Sequence, residues 1–206
     1  MALDHWLAFV AASAVLLAIP GPTVLLVISY ALGHGRRVAG ATVAGVALGD
    51  FTAMTASLLG LGALLATSAG LFTGLRWVGA AYLVFLGVKL WRAPVGEGTL
   101  EAAPVARPRR IFLHAYAVTS LNPKSIVFFI AFLPQFLDGA RAVVPQLVIF
   151  EASFLTLATA NALAYALLAA AARRTIRQKR VQRAVNRTGG TLLIGAGALA
   201  AAWRHH

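Results

Sequence analysis

The chain has 206 residues, of which 60% are hydrophobic and 12% charged, and its mean hydropathy is +0.80. A soluble domain carries about a quarter of charged residues, so these values exclude one and point to a polytopic membrane protein. With no Cys, two Met and five scattered His, disulfide frameworks and thiolate or paired-histidine metal sites are excluded as well, so neither metal nor cofactor is expected.

A helix crossing a roughly 30 Å hydrocarbon layer needs about 20 apolar residues. The length therefore fits one membrane domain over residues 1–206, with all-α architecture and no separate soluble domain. In chain order, apolar runs bounded by Gly, Pro or charge predict six spans, at about 5–32, 38–66, 70–91, 111–135, 144–170 and 189–203. The first is too long, and too poor in basic residues at its start, for a cleaved signal peptide. The last is short, so an earlier start or local bilayer thinning is expected.

The net charge of +12 reads as topology rather than nucleic-acid binding. Arg36 and Arg37 fall in the first loop, Lys89, Arg92, Arg107, Arg109 and Arg110 around the third, and Arg173, Arg174, Arg177, Lys179, Arg180, Arg183 and Arg187 in the fifth. The second and fourth hold Arg76 and Arg141. By the positive-inside rule the odd loops are cytoplasmic and both termini lie on the other side. The last basic run is an anchor against anionic headgroups of the lipid bilayer. Trp6, Trp77, Trp91 and Trp203 sit near span ends as interfacial anchors.

The third loop, "APVGEGTLEAAPVARP", is a flexible linker dividing the chain roughly into 1–92, 93–110 and 111–206. Three spans on either side give corresponding helices opposite directions, as in two inverted three-helix repeats. The halves share punctuation rather than identity: "IPGPT" interrupts the first span and "LNPKS" the fourth. Proline lacks an N–H and clashes with the carbonyl four residues back. Pro20 and Pro22 therefore free the carbonyls of Leu16 and Ala18, and Pro123 that of Thr119. Unpaired backbone groups are costly in lipid unless protein or water covers them, so two corresponding breaks predict a central cavity. With Pro22 and Pro123 each opening a resumed helix, two positive helix ends meet there and suit a carboxylate. Simple kinks that serve close contact between helices are the alternative.

Charges inside spans cost at least about 2.5 to 3.5 kcal/mol near the bilayer centre, so they face the bundle interior. Asp50, Glu151 and Lys124 are read as such charges. Lys124 opposes the dipole of the helix it opens, and is expected to need a carboxylate from Asp50, Glu151 or the solute. A buried carboxylate whose cation partner comes and goes alternately holds and releases a proton. Asp50 is the first proton-coupling candidate and Glu151 the second, against a static ion pair for Asp50 and simple solvation for Glu151. Gly45, Gly49, Ala53 and Ser57 form a small-residue ladder that lets another backbone approach beside Asp50. In the fifth span Asn161 is a cavity candidate. No G-x-S-x-G or Ser/His/Asp arrangement favours an intramembrane enzyme.

"PGPT" in the first span, Gly45, Gly49 and Asp50 in the second, and "NPKSIVFFIAFLPQF" in the fourth resemble the LysE/RhtB family of amino-acid exporters across nearly the whole chain. The resemblance implies a bacterial inner-membrane, multi-pass exporter of amino acids or related small carboxylates, coupled to protons, and a homo-oligomer, most often a dimer. Its shared positions map to Pro20, Gly21, Pro22, Asp50, Asn122, Pro123, Lys124, Pro134 and Gln135. With Thr23 and Asn161, the proline-centred positions and Gln135 make up the expected substrate site. An uncoupled channel or lipid-handling protein built on the same cavity is the second reading.

Overall fold

A computed structural model describes residues 3–67, 69–94, 107–171 and 178–202. Every regular element among them is helical: α1 (Leu3–Ala18), α2 (Pro22–His34), α3 (Ala39–Thr67), α4 (Ala69–Trp91), α5 (Pro108–Ser120), α6 (Pro123–Val127), α7 (Val143–Ala171) and α8 (Lys179–Ala202). The stretches 22–60, 108–136 and 143–171 are long and apolar enough to cross a membrane, and Leu3–Ala18 and Trp77–Trp91 are shorter apolar helices. Large apolar side chains cover the outside, among them Leu59, Val78, Phe85, Val148 and Leu168. In water such a surface would drive association, whereas lipid solvates it.

Proline and glycine set the helix boundaries. α1 stops at Ala18, ahead of Pro20, and α2 restarts with Pro22 at its first position behind an extended Gly21. α2 ends at Gly35, whose φ of 67° favours a residue without Cβ. In the fourth predicted span α5 stops at Ser120, Asn122 caps α6, and Pro123 opens it. A π-helical turn over Phe128–Phe132 and a 3-10 turn over Leu133–Phe136 carry the chain onward.

The sixth segment starts earlier than its apolar run, one of the two outcomes expected for so short a span, since α8 begins at Lys179 rather than near residue 189. Lys, Arg, Gln and Ala are strong helix formers, so the basic residues from Lys179 to Arg187 are the first part of the helix rather than a loop before it. Arg173, Arg174, Arg177, Trp203 and linker residues 95–106 lie outside the described residues. Trp91 lies under the Arg187 guanidinium, 5.8 Å from ring centroid to carbon.

Helices from the two halves of the sequence interlock rather than form separate lobes. A Cβ on Gly45 would lie 2.5 Å from the Phe112 carbonyl oxygen, and one on Gly49 2.7 Å from Thr119 Cβ, so the small ladder of α3 seats α5. A Cβ on Gly87 would lie 2.7 Å from the Gly190 carbonyl oxygen, which brings α4 against α8 in the same way. The largest core cluster is aromatic. Phe9 meets Phe150 at a tilt with 4.4 Å between centroids, Phe129 meets Phe154 edge-on at 4.8 Å, and Phe136 meets Phe9 at 5.7 Å. The smaller clusters, around Val27, Val46, Ala115, Ala162 and Ala166 and around Val24, Ile28 and Ala169, are built of slighter side chains.

Candidate functional site at the two helix breaks

The break between α1 and α2 exposes the last carbonyls of α1, and each is taken by a side chain from elsewhere in the fold. Lys124 Nζ donates to the carbonyls of Leu16 at 3.0 Å and Ile19 at 2.8 Å. Asn161 Nδ2 donates to that of Leu17 at 3.1 Å, and the Tyr165 hydroxyl to that of Ala18 at 2.9 Å. Asn161 and Tyr165 are four residues apart, so α7 presents both on one face. The Leu16 carbonyl also receives the Ile19 N–H at 3.3 Å. Backbone acceptors that lipid could not satisfy are thus covered by three side chains.

The second break is tied to the first. Asn122 Oδ1 accepts the Lys124 backbone N–H at 3.1 Å while its Nδ2 donates to Thr23 Oγ1 at 3.1 Å. Thr23 Oγ1 and Thr119 Oγ1 lie 3.2 Å apart. The Thr119 carbonyl, released by Pro123, accepts the Asn122 N–H at 3.1 Å. The N-terminus of α6 is therefore capped by its own side chain, whereas α2 begins at Gly21 without a side-chain cap.

Between the breaks lies a cavity whose lining includes Gly21, Thr23, Asp50, Asn122, Lys124 and Asn161. The centre of a water molecule can range over about 20 Å³ of it, room for one or two waters and not for an amino acid. Asp50 and Lys124 are 3% and 6% exposed, and they face this space without a direct salt bridge. Among the described residues the ion pair formed is Arg141 with Asp138, at 3.1 Å. The carboxylate expected near Lys124 is that of Asp50, on the same cavity but not in direct contact. The negative end of the α1 dipole and two carbonyl oxygens hold its ammonium instead.

Six of the sequence-predicted positions thus converge. Pro20, Pro22 and Pro123 shape the breaks without lining the cavity. Gln135 bonds the Ala131 carbonyl on its own turn at 2.9 Å, and Glu151 accepts the Thr55 hydroxyl at 2.6 Å, both outside the cavity lining. Sequence reasoning missed Tyr165, Ser125 and the Thr119 hydroxyl. The i, i+4 spacing of Asn161 and Tyr165 was the available signal for the first. His114 bonds the Tyr30 hydroxyl at 2.9 Å, near the far end of α2. No cluster of three metal-ligating side chains occurs among the described residues.

A family model described as "LysE type translocator" matches residues 14–202. This chain belongs to the LysE type translocator family. As a translocator it moves a solute rather than transforming one, and it is not an enzyme. It is 34% identical over 205 residues to an uncharacterized membrane protein of Vibrio cholerae, covering 98% of both chains. It is 32% identical over 208 residues to the homoserine/homoserine lactone efflux protein of Salmonella typhi, covering 100% of both. To the leucine efflux protein of an Enterobacter strain it is 33% identical over 137 residues, covering 66% of this translocator and 64% of that protein. No solved structure matches the chain.

Proposed function

We propose that this translocator is a secondary-active exporter that moves amino acids or closely related small carboxylates out of the bacterial cytoplasm, driven by the proton gradient. The observation that carries the reading is the convergence of Asp50, Lys124 and the uncapped start of α2 on one small cavity. Relatives named for homoserine and leucine efflux support the solute class. We take the helices as six spans in two inverted three-helix repeats, with both termini outside the cytoplasm and the protein in the inner membrane as a homodimer.

In this reading the backbone N–H groups at the start of α2 receive the solute carboxylate, beside Gly21 and Thr23. Asp50 carries the proton, and Lys124 is its switchable partner, exchanging between the α1 carbonyls and the carboxylate. Because a cavity of about 20 Å³ excludes an amino acid, the conformation described is a closed intermediate. Opening it requires helix movement, and the tight α3–α5 and α4–α8 contacts make those mixed pairs the moving bodies, in place of one sequence half rocking on the other. An uncoupled channel would need a continuous path, and the aromatic cluster around Phe9, Phe129, Phe150 and Phe154 fills one side of the bundle.

The test is a resistance screen in cells expressing the chain and challenged with toxic levels of single amino acids and analogues. Resistance with lowered intracellular solute, removed by Asp50→Ala at equal expression, is expected. Resistance untouched by Asp50→Ala would remove Asp50 from the mechanism, and resistance to no amino acid or analogue would remove the solute class.

A further inference from the structure

The carbonyls at the end of α1 are not all bound alike. Those of Leu17 and Ala18 receive neutral donors, Asn161 and Tyr165. Those of Leu16 and Ile19 converge on a single point, and a charged group stands there, with Lys124 Nζ 3.0 and 2.8 Å away. The ammonium also lies over the glycine of the break, since a Cβ on Gly21 would come within 3.3 Å of Nζ. Two main-chain oxygens at the negative end of a helix, in an unwound segment with a buried carboxylate on the same cavity, form the kind of site that holds an alkali cation in transporters with discontinuous helices.

We propose that Lys124 is a tethered cation filling an alkali-ion site at the α1–α2 break, with Asp50 as its counter-charge across the cavity. The site is monovalent by its chemistry: two neutral carbonyls and one carboxylate balance a single positive charge and would leave a divalent ion undercompensated. In the conformation described the ammonium, covalently part of α6, occupies that point, and sodium or potassium has no place to bind there. The proposal concerns how the break is held in this conformation, takes Asp50 in the ionised state of the proton reading, and does not depend on the solute. Removing the side chain while keeping the two carbonyls and Asp50 creates a true alkali-ion site.

The experiment measures the thermal unfolding midpoint of the purified full chain in detergent, in lithium, sodium or potassium chloride against equimolar choline chloride. Wild type should be indifferent to the cation. Lys124→Ala should melt lower in choline and recover by about 5 °C in at least one alkali chloride near a hundred times its dissociation constant. Lys124→Met, which refills the notch without charge, should melt lower and not recover. Alkali-ion stabilisation of wild type, an Ala variant that ignores all three ions, or a Met variant that recovers equally would each overturn the proposal. Should the Ala variant prove too unstable to purify, wild-type export from proteoliposomes at a fixed pH gradient decides. Equal rates in sodium and choline are expected, and sodium dependence overturns it. The unfolding readout needs no transport, so its failure is distinct from failure of the exporter reading.

Discussion

Tyr165 shows what one side chain contributes at a helix break. Its hydroxyl covers the Ala18 carbonyl at 2.9 Å, and Tyr165→Phe leaves that acceptor unpaired while preserving the ring. A loss of about 1 to 3 kcal/mol is expected, seen as a lower unfolding midpoint at unchanged membrane topology. Asn122 holds both breaks at once, through the Lys124 N–H and Thr23 Oγ1. Asn122→Ala should therefore cost more than an ordinary cap, whose loss is about 1 kcal/mol. Thr23→Val in the same background should then add little, because the two share one bond, and a double-mutant cycle measures this. The prolines made the breaks legible in the sequence, and buried charge made Asp50 and Lys124 legible. The partners of Lys124 were not, because main-chain carbonyls more than a hundred residues away leave no residue-type signal. Tyr165 was overlooked for a related reason, since an isolated aromatic in an apolar run reads as filling.

At the scale of elements, glycine decides which helices meet. Gly49 faces Thr119 and the Tyr116 carbonyl, while Gly40 on the same helix has nothing within 4 Å of the point where a Cβ would stand. Gly49→Val forces α3 from α5 beside the cavity and should destabilise by about 1 to 3 kcal/mol or more. Gly40→Ala should be neutral or stabilising by up to about 1 kcal/mol. Comparing the two unfolding midpoints separates close approach from helix propensity, and equal effects would refute the contact account. The ladder from Gly45 to Ser57 was readable as a close-approach face, but which helix it receives was not, since many helices could fit a smooth surface. The start of α8 was only partly legible because hydropathy sees the apolar part of a helix and not its basic first turns. The π-helical turn at Phe128–Phe132 stands just before Pro134, which cannot donate to the Ile130 carbonyl.

For the whole molecule, a small cavity, a buried acid and a pair of helix breaks are the parts from which the proposed export cycle is built. The apolar lining of that cavity includes slight side chains, Val24, Val27, Val46, Ala158 and Ala162, whereas the six buried phenylalanines of the largest core cluster are not part of it. A slight lining should open more readily than an aromatic one, so enlarging it with Ala162→Leu should slow export severalfold while leaving the fold intact, as flux against unfolding midpoint would show. The family was legible from the motifs in the first, second and fourth spans, because those motifs mark the breaks and the buried charge on which the fold depends. The direction and drive of transport were not, because they belong to states other than the one described. The central claim is that Asp50 couples export to protons, and flux from proteoliposomes loaded with a radiolabelled amino acid tests it most directly. Wild-type release should quicken when a pH gradient is imposed, and Asp50→Asn, equally folded, should lose that response. Release that ignores the gradient in wild type, or a gradient response that survives in Asp50→Asn, would contradict the claim.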